Sequence, residues 1–264
     1  MQSEWRPAEL AGFVEQLWYS EGTISHPRER ILPNGKIELI VNFGDPYRLV
    51  EGSGVERMST GVVTGMQSRP IVIEGPRRHS VLGVRLHPAG AYALLATPMH
   101  EVSDLTVETR DLVGRAAEEL AGRCSEAQST EEKLRVVATW IGARIARARH
   151  VDPPVAWAAN CIEKTDGGVS IRALRERTGF SKTRLASEFR DQIGFAPKRY
   201  SRIVRFRKLL AVLHGGAPSL ADAALAAGYY DQPHMTDEFR ELAGMTPREF
   251  LAMRYPGGVT AAEG

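Results

Sequence analysis

The last hundred or so residues of this chain carry one pattern twice. Ser170, Ile171, Leu174, Gly179 and Phe180 return as Ser219, Leu220, Ala223, Gly228 and Tyr229, 49 positions later. Glu188-Phe189-Arg190, Gly194 and Pro197 return as Glu238-Phe239-Arg240, Gly244 and Pro247, but 50 positions later. One residue has therefore been inserted in or near the central turn of the second unit. Two short helices around a Gly-containing turn are the sequence form of a helix-turn-helix. A tandem copy makes sequence-specific binding of double-stranded DNA the leading expectation.

Helices are expected near 154–165, 170–178, 181–192, 196–214, 219–227, 231–242 and 246–254. Ser170, Ser181, Ser219 and Thr246 stand where N-caps are wanted, and Pro197 and Pro247 fall in first turns. Gly179, Gly194, Gly228 and Gly244 close the preceding helices. In each unit the first helix would brace, with Ile171, Leu174, Leu220, Ala223 and Leu225 packing, while the second enters the major groove. The reading helices have inward pairs at i, i+4 spacing, Leu185 with Phe189 and Met235 with Phe239. Their outer faces offer Lys182, Thr183, Arg184, Ser187 and Arg190 in one helix, and Gln232, His234, Thr236, Asp237 and Arg240 in the other. Such side chains pair with base edges or phosphates, although singly each is more often just a solvated surface residue. Arg199, Arg202 and Arg205 on the connecting helix are expected to neutralise phosphates.

Charge distribution agrees. Residues 155–254 hold 16 Lys/Arg against 11 Asp/Glu, whereas residues 1–154 hold 18 against 20. A basic half beside a slightly acidic one suits a DNA-binding module joined to something else. At 264 residues the chain has room for two domains.

The repeat resembles the DNA-binding domain of AraC/XylS-type transcriptional regulators. The second unit carries most of the likeness: Ala227-Gly228-Tyr229, Asp231-Gln232, His234-Met235, Phe239-Arg240, Gly244-Met245-Thr246-Pro247 and Phe250. The first adds Ala173-Leu174, Gly179, Ser181, Leu185, Phe189, Gly194, Pro197, Tyr200 and Arg205. The resemblance implies two reading helices in successive major-groove segments, with Thr183, Arg184 and Ser187 in one and Gln232, His234 and Asp237 in the other. Ser187 and Asp237 stand where members often carry a basic residue, and because an Asp repels phosphate the second unit is expected to contribute less to affinity.

The first half reads differently. Lys36–Phe43 alternates after the turn signal Pro33-Asn34-Gly35, and Val62–Thr64, Ile71–Glu74 and Ser80–Leu86 are further short strands. Helices are expected over Ala89–Leu95, Asp111–Gly122 and 130–149, the last capped by Thr130. Its seam of Leu134, Ala138, Ile141, Ile145 and Ala148 could pair two copies of the chain, or cover the strands of its own domain. Leu32–Pro46 and Gly83–Gly90 resemble a subset of the same regulators that carry a cupin-like β-barrel, which implies effector sensing or dimerisation.

The expected architecture is thus α+β with two domains: an N-terminal antiparallel, cupin-like β-barrel with flanking helices, and a C-terminal all-α domain with two helix-turn-helix motifs. The expected divisions are 1–125, a helix and linker over 126–153, the tandem domain over 154–255, and a flexible tail over 256–264. His26, His79, His87 and His100 are scattered, so neither a metal nor a cofactor is expected, and no catalytic motif is present. The competing reading is a metabolite-binding protein or cupin-type enzyme with an incidental helical part. Cys124 and Cys161 lack metal or redox spacing, and the start lacks a signal-peptide pattern, which together suit a reducing cytoplasm. No apolar run is long enough to span a membrane. Beyond DNA, the expected partners are a small-molecule effector, a second copy of the chain through the 130–149 helix, and RNA polymerase.

Overall fold

A computed structural model describes residues 2–24, 28–51, 54–58, 60–253 and 260–263. The N-terminal half begins with β1 (Gln2–Trp5), β2 (Val14–Thr23), β3 (Arg28–Ile31) and β4 (Ile37–Asn42). β5 (Arg48–Glu51), β6 (Gly54–Arg57), β7 (Gly61–Thr64), β8 (Ile71–Glu74) and β9 (Arg78–Leu86) follow. The turn before β4 forms as Pro33-Asn34-Gly35 suggests. The Lys36 amide donates to Asn34 Oδ1 at 2.9 Å, and Gly35 takes φ +74°.

After β9 come α1 (Pro88–Leu95), β10 (Thr106–Glu108), α2 (Thr109–Val113), α3 (Arg115–Glu126) and α4 (Thr130–Ile145). The single helix expected over Asp111–Gly122 is broken into two at Gly114, whose φ of +61° and ψ of −142° are not helical. The cap of α4 is Ser129 rather than Thr130: its side chain accepts from the Glu132 amide.

The strands form two antiparallel sheets. One runs β1-β2-β9-β4-β7-β10; the other contains β3, β8, β5 and β6, with β11 (Thr260–Glu263) beside β3. No strand pairing joins the sheets among the described residues, so the expected closed cupin-like barrel is corrected to two facing sheets. Thr260–Glu263, within the segment expected as a tail, supplies an edge strand, while residues 254–259 lie outside the described residues.

The two faces of the larger sheet differ. Leu17, Val84 and Leu39 sit side by side on β2, β9 and β4, as do Tyr19, Leu82 and Val41. All are buried, in one core with Leu134, Val137 and Ile141 of α4. The seam of α4 is therefore consumed inside its own chain. Leu134, Ala138, Ile141 and Ile145 are buried there, which corrects the expectation of a dimer through this helix. Cys124 is buried in the same layer, and desolvation pushes its thiol up to about 11. The opposite face of the sheet, carrying Trp18, Gly83 and Ile40 in one cross-strand row, looks toward the smaller sheet.

Seven helices complete the described chain: α5 (Pro153–Lys164), α6 (Ile171–Thr178), α7 (Lys182–Ile193), α8 (Pro197–His214), α9 (Leu220–Ala226), α10 (Gln232–Ala243) and α11 (Pro247–Ala252). Ser170, Ser181, Ser219 and Thr246 each accept a backbone N–H as N-caps, and so does Asp231.

Because Ser129 holds the α4 cap, Ser129→Ala should cost about 1 kcal/mol in urea unfolding, whereas Thr130→Ala should cost a few tenths at most. Equal losses would return the cap to Thr130.

Candidate nucleic-acid interface and inter-sheet cavity

α8 is the beam of the helical half. Tyr200, Ile203, Val204, Phe206, Leu209, Leu210 and Leu213 are all buried, and both reading helices anchor on it. In the first unit the Phe189 ring of α7 lies 5.8 Å from Tyr200. In the second the Phe239 ring of α10 meets Phe206 edge-on at 5.2 Å and Phe250 of α11 at 5.5 Å. The inward pairs Leu185/Phe189 and Met235/Phe239 are buried. Their burial fixes which faces of α7 and α10 point outward.

On α7, Lys182, Thr183, Arg184, Ser187 and Arg190 are all exposed in the full chain. Arg184 stacks its guanidinium 4.2 Å from the Phe180 ring centre and lies 3.9 Å from Glu188, which pre-orients it without burying it. Among the described residues no carboxylate is within ion-pair distance of Lys182 or Arg190. On α10, His234, Asp237 and Arg240 are exposed, while Gln232 and Thr236 are half-buried. Asp237 lies 3.9 Å from Arg240, so part of its charge is offset locally.

The arginines expected on phosphates are engaged inside the fold. Arg202 bonds Glu238 at 2.7 Å and also pairs with Glu241. Arg205 reaches Glu238 at 3.4 Å and stacks 4.8 Å from the Tyr229 ring. Glu238 is buried, and these two cations are its ion-pair partners. Arg199 donates to Ser68 Oγ in the N-terminal half. In the folded chain these side chains brace α8 against α10 and against the sheets, and Arg199 stays exposed while doing so. The packing expected of Leu225 is corrected, since it is 66% exposed, and Ala224 takes the packing position beside Ala223.

The inserted residue is Tyr230. From the turn glycine to the N-cap, the first unit has Phe180 alone (Gly179 to Ser181), while the second has Tyr229 and Tyr230 (Gly228 to Asp231). Tyr229 is buried, and Tyr230 stands 88% exposed at the start of α10. The break from 49 to 50 marked the insertion in the sequence but could not say which residue it was.

α8 also ties the helical half to the sheets. Arg207 donates to the Asn34 carbonyl at 3.0 Å and pairs with Glu163 of α5, which also accepts from Tyr200 at 2.6 Å. Lys36 lies 3.0 Å from Glu15 and 3.9 Å from Glu163. Burial would raise the Glu163 carboxyl, but Arg207 and Lys36 together hold it below the usual carboxylate range. The end of α7 docks on the turn at Met99–Glu101, where His100 Nδ1 is 3.1 Å from Asp191.

Between the sheets lies a cavity of about 210 Å3. Ile40, Trp18 and Arg85 line it from the larger sheet, and Ile31, Ile71 and Ile73 from the smaller. At one end it is lined by Leu32, Asn34 and Lys36 on one loop and by Gly65 and Gln67 on another. α8 grips these same two loops through Arg207 at Asn34 and Arg199 at Ser68. Among the described residues no group of three His, Cys, Asp or Glu side chains could hold a metal ion, and His26 lies outside them. No helix among them is long and apolar enough to cross a membrane.

Residues 174–253 match the family described as Helix-turn-helix domain, and residues 5–108 match one described as Domain of unknown function (DUF6597). Among solved structures, ToxT from Vibrio cholerae in a P21 crystal form superposes with a TM-score of 0.52 at 10% identity, covering 89% of this chain and 98% of that one. ToxT from Vibrio cholerae O395 gives 0.50 at 10% identity over 89% and 97%. The same protein bound to (E)-4-(8-methylnaphthalen-1-yl)but-3-enoic acid gives 0.51 at 12% over 89% and 98%. At such identities the likeness is one of fold. No curated protein matches the chain by sequence. The exposed tandem faces and the domain match define a DNA-binding transcriptional regulator. Its DNA-binding part is a helix-turn-helix domain of the AraC type, as the motif resemblance indicated.

Glu238→Ala would leave Arg205 without its carboxylate and Arg202 with Glu241 alone, and should cost about 2–4 kcal/mol by urea unfolding once the partial exposure of both arginines is allowed for. Arg205→Ala should likewise lower Tm while leaving the salt slope of DNA binding unchanged; a slope smaller by about 1 would restore it as a phosphate contact. At the seam, the lowered carboxyl of Glu163 contributes stability above its ordinary value of 4.5, and that stability is lost as pH falls through the lowered folded value. Cleavage within 146–152 by an acid-active protease should therefore accelerate as pH drops below about 4.5 in the wild type, but not in Glu163→Gln.

Proposed function

We propose that this chain is a sequence-specific transcription regulator whose two reading helices, α7 and α10, enter neighbouring major-groove segments, with the N-terminal sheets tuning affinity through an effector. The observation that carries the reading is the arrangement around α8. Two polar helix faces stay open to solvent while their opposite faces anchor on one rigid helix. Arg184 reads base edges, with Thr183 and Ser187 beside it, while Lys182 and Arg190 take phosphates. Gln232, His234 and Thr236 refine the site, and Tyr230 reaches the backbone at the start of α10. Asp237 repels phosphate, offset in part by Arg240. The unit around Arg184 therefore supplies most of the affinity.

Effector tuning is supported by the shared loops. Leu32–Lys36 and Gly65–Ser68 both contribute to the lining of the inter-sheet cavity and take hydrogen bonds from α8. A guest that shifts either loop acts on the helix that spaces the two reading units. The ToxT complex with a butenoic acid shows that the fold accommodates small molecules in that protein.

A gel shift at low salt, using DNA recovered by in vitro selection with the full chain, tests the reading; no retardation of any selected DNA sinks it. Arg184→Ala should weaken the selected site roughly 5- to 150-fold and random DNA much less, as expected for a lost base pairing of about 1–3 kcal/mol. Lys182→Ala should weaken both alike and reduce the salt slope by about 1. If the two variants behave identically, the division between reading and positioning residues is wrong.

A further inference from the structure

Trp18 and Gln67 both line the inter-sheet cavity, and each has a buried polar atom without a hydrogen-bond partner among the described residues, Trp18 Nε1 and Gln67 Oε1. Gln67 is 7% exposed, and its amide is oriented because its nitrogen donates to the Gly65 and Leu105 carbonyls at 2.9 and 3.3 Å. Its oxygen is thereby left as an acceptor. The indole of Trp18 is held in place by the lack of a side chain at Gly83 beside it, where a Cβ would fall 2.1 Å from Trp18 Cε2. Buried donors and acceptors are seldom left unmet, and a guest in the adjoining space meets them.

Charge decides the class of guest. Glu29, Lys36, Glu38 and Arg85 reach the cavity, two of each sign. Arg85 is bonded to Glu38 at 2.8 Å, and Lys36 to Glu15 at 3.0 Å, so both cations are already neutralised. Burial and Glu29 push the Tyr47 hydroxyl at the cavity wall up to about 12, so it stays protonated. An anion entering here would find no unengaged cation among the described lining residues, and an unpaired charge in such a space is costly. A neutral guest avoids that cost and covers Ile31, Ile40, Ile71 and Ile73.

We propose that the cavity binds a neutral, mainly apolar small molecule carrying a hydroxyl group, which meets Trp18 Nε1 and Gln67 Oε1. The inference rests on the effector reading above and names the chemical class of the effector.

Three probes with one apolar body separate the classes: 1-naphthol, 1-naphthoate and naphthalene, titrated calorimetrically into the full chain without DNA. The alcohol should bind about tenfold tighter than either of the others. Naphthoate binding as tightly as the alcohol overturns the proposal, and so does failure of all three to bind a chain that is folded by circular dichroism. Trp18→Phe keeps a ring but removes the N–H, and should weaken naphthol roughly five- to tenfold while leaving naphthalene unchanged. Equal losses for both probes would mean a collapsed cavity and count against the assignment. Should Trp18→Phe fail to fold, Gln67→Met makes the same comparison. Gel shifts without probe report DNA binding separately, so either reading can fail while the other stands.

Discussion

Everything in the helical half hangs on the burial of α8. Its large apolar side chains are shared between two helix-turn-helix units, and each buried aromatic contributes on the order of 1.5–3 kcal/mol. Tyr200 serves one reading helix through Phe189, and Phe206 serves the other through Phe239. Sharing has a geometric consequence: neither unit can rotate without unpacking the beam common to both. The polar edges of α8 are closed in the same spirit. Glu238 sits between Arg202 and Arg205, and Glu163 between Arg207 and Tyr200.

The six-stranded sheet divides the N-terminal half into a dense layer and an open one. On the helix side, Leu17, Leu39, Leu82 and Val84 are buried with α4. On the other side, β8 is only half-buried along its whole length, and the space between the sheets holds the cavity. Stability resides on one face, which frees the other to keep a hole. The loops at the end of that hole touch α8, so the open layer and the helix that anchors α7 and α10 meet in a few hydrogen bonds.

Much of this was legible in the residues. The caps Ser170, Ser181, Ser219 and Thr246 mark helix starts because their side chains satisfy local backbone donors, and local rules read well from sequence. The outward faces of α7 and α10 followed from the spacing of Leu185/Phe189 and Met235/Phe239. β2 was not legible: the register shifts between Val14 and Gln16, and such an irregularity breaks the alternation that marks a strand. The break at Gly114 was hidden because a single glycine inside a helical pattern is often tolerated. The seam of α4 read as a cover for its own strands somewhat more readily than as a dimer contact, since periodicity names a buried face without naming its partner.

The sequence alone determined the tandem motif, its caps, its polar faces and its likeness to AraC-type domains, because these depend on contacts a few residues apart. Tertiary structure alone decided which arginines have partners inside the fold, that Tyr230 is the exposed insertion, and that the strands form two sheets with a cavity between them. Those outcomes depend on pairs far apart in the chain, such as Arg202 with Glu238, Arg199 with Ser68 and Trp18 with Gly83. A basic residue looks the same in sequence whether its partner is a phosphate or a buried carboxylate, and only the folded chain brings that partner into reach.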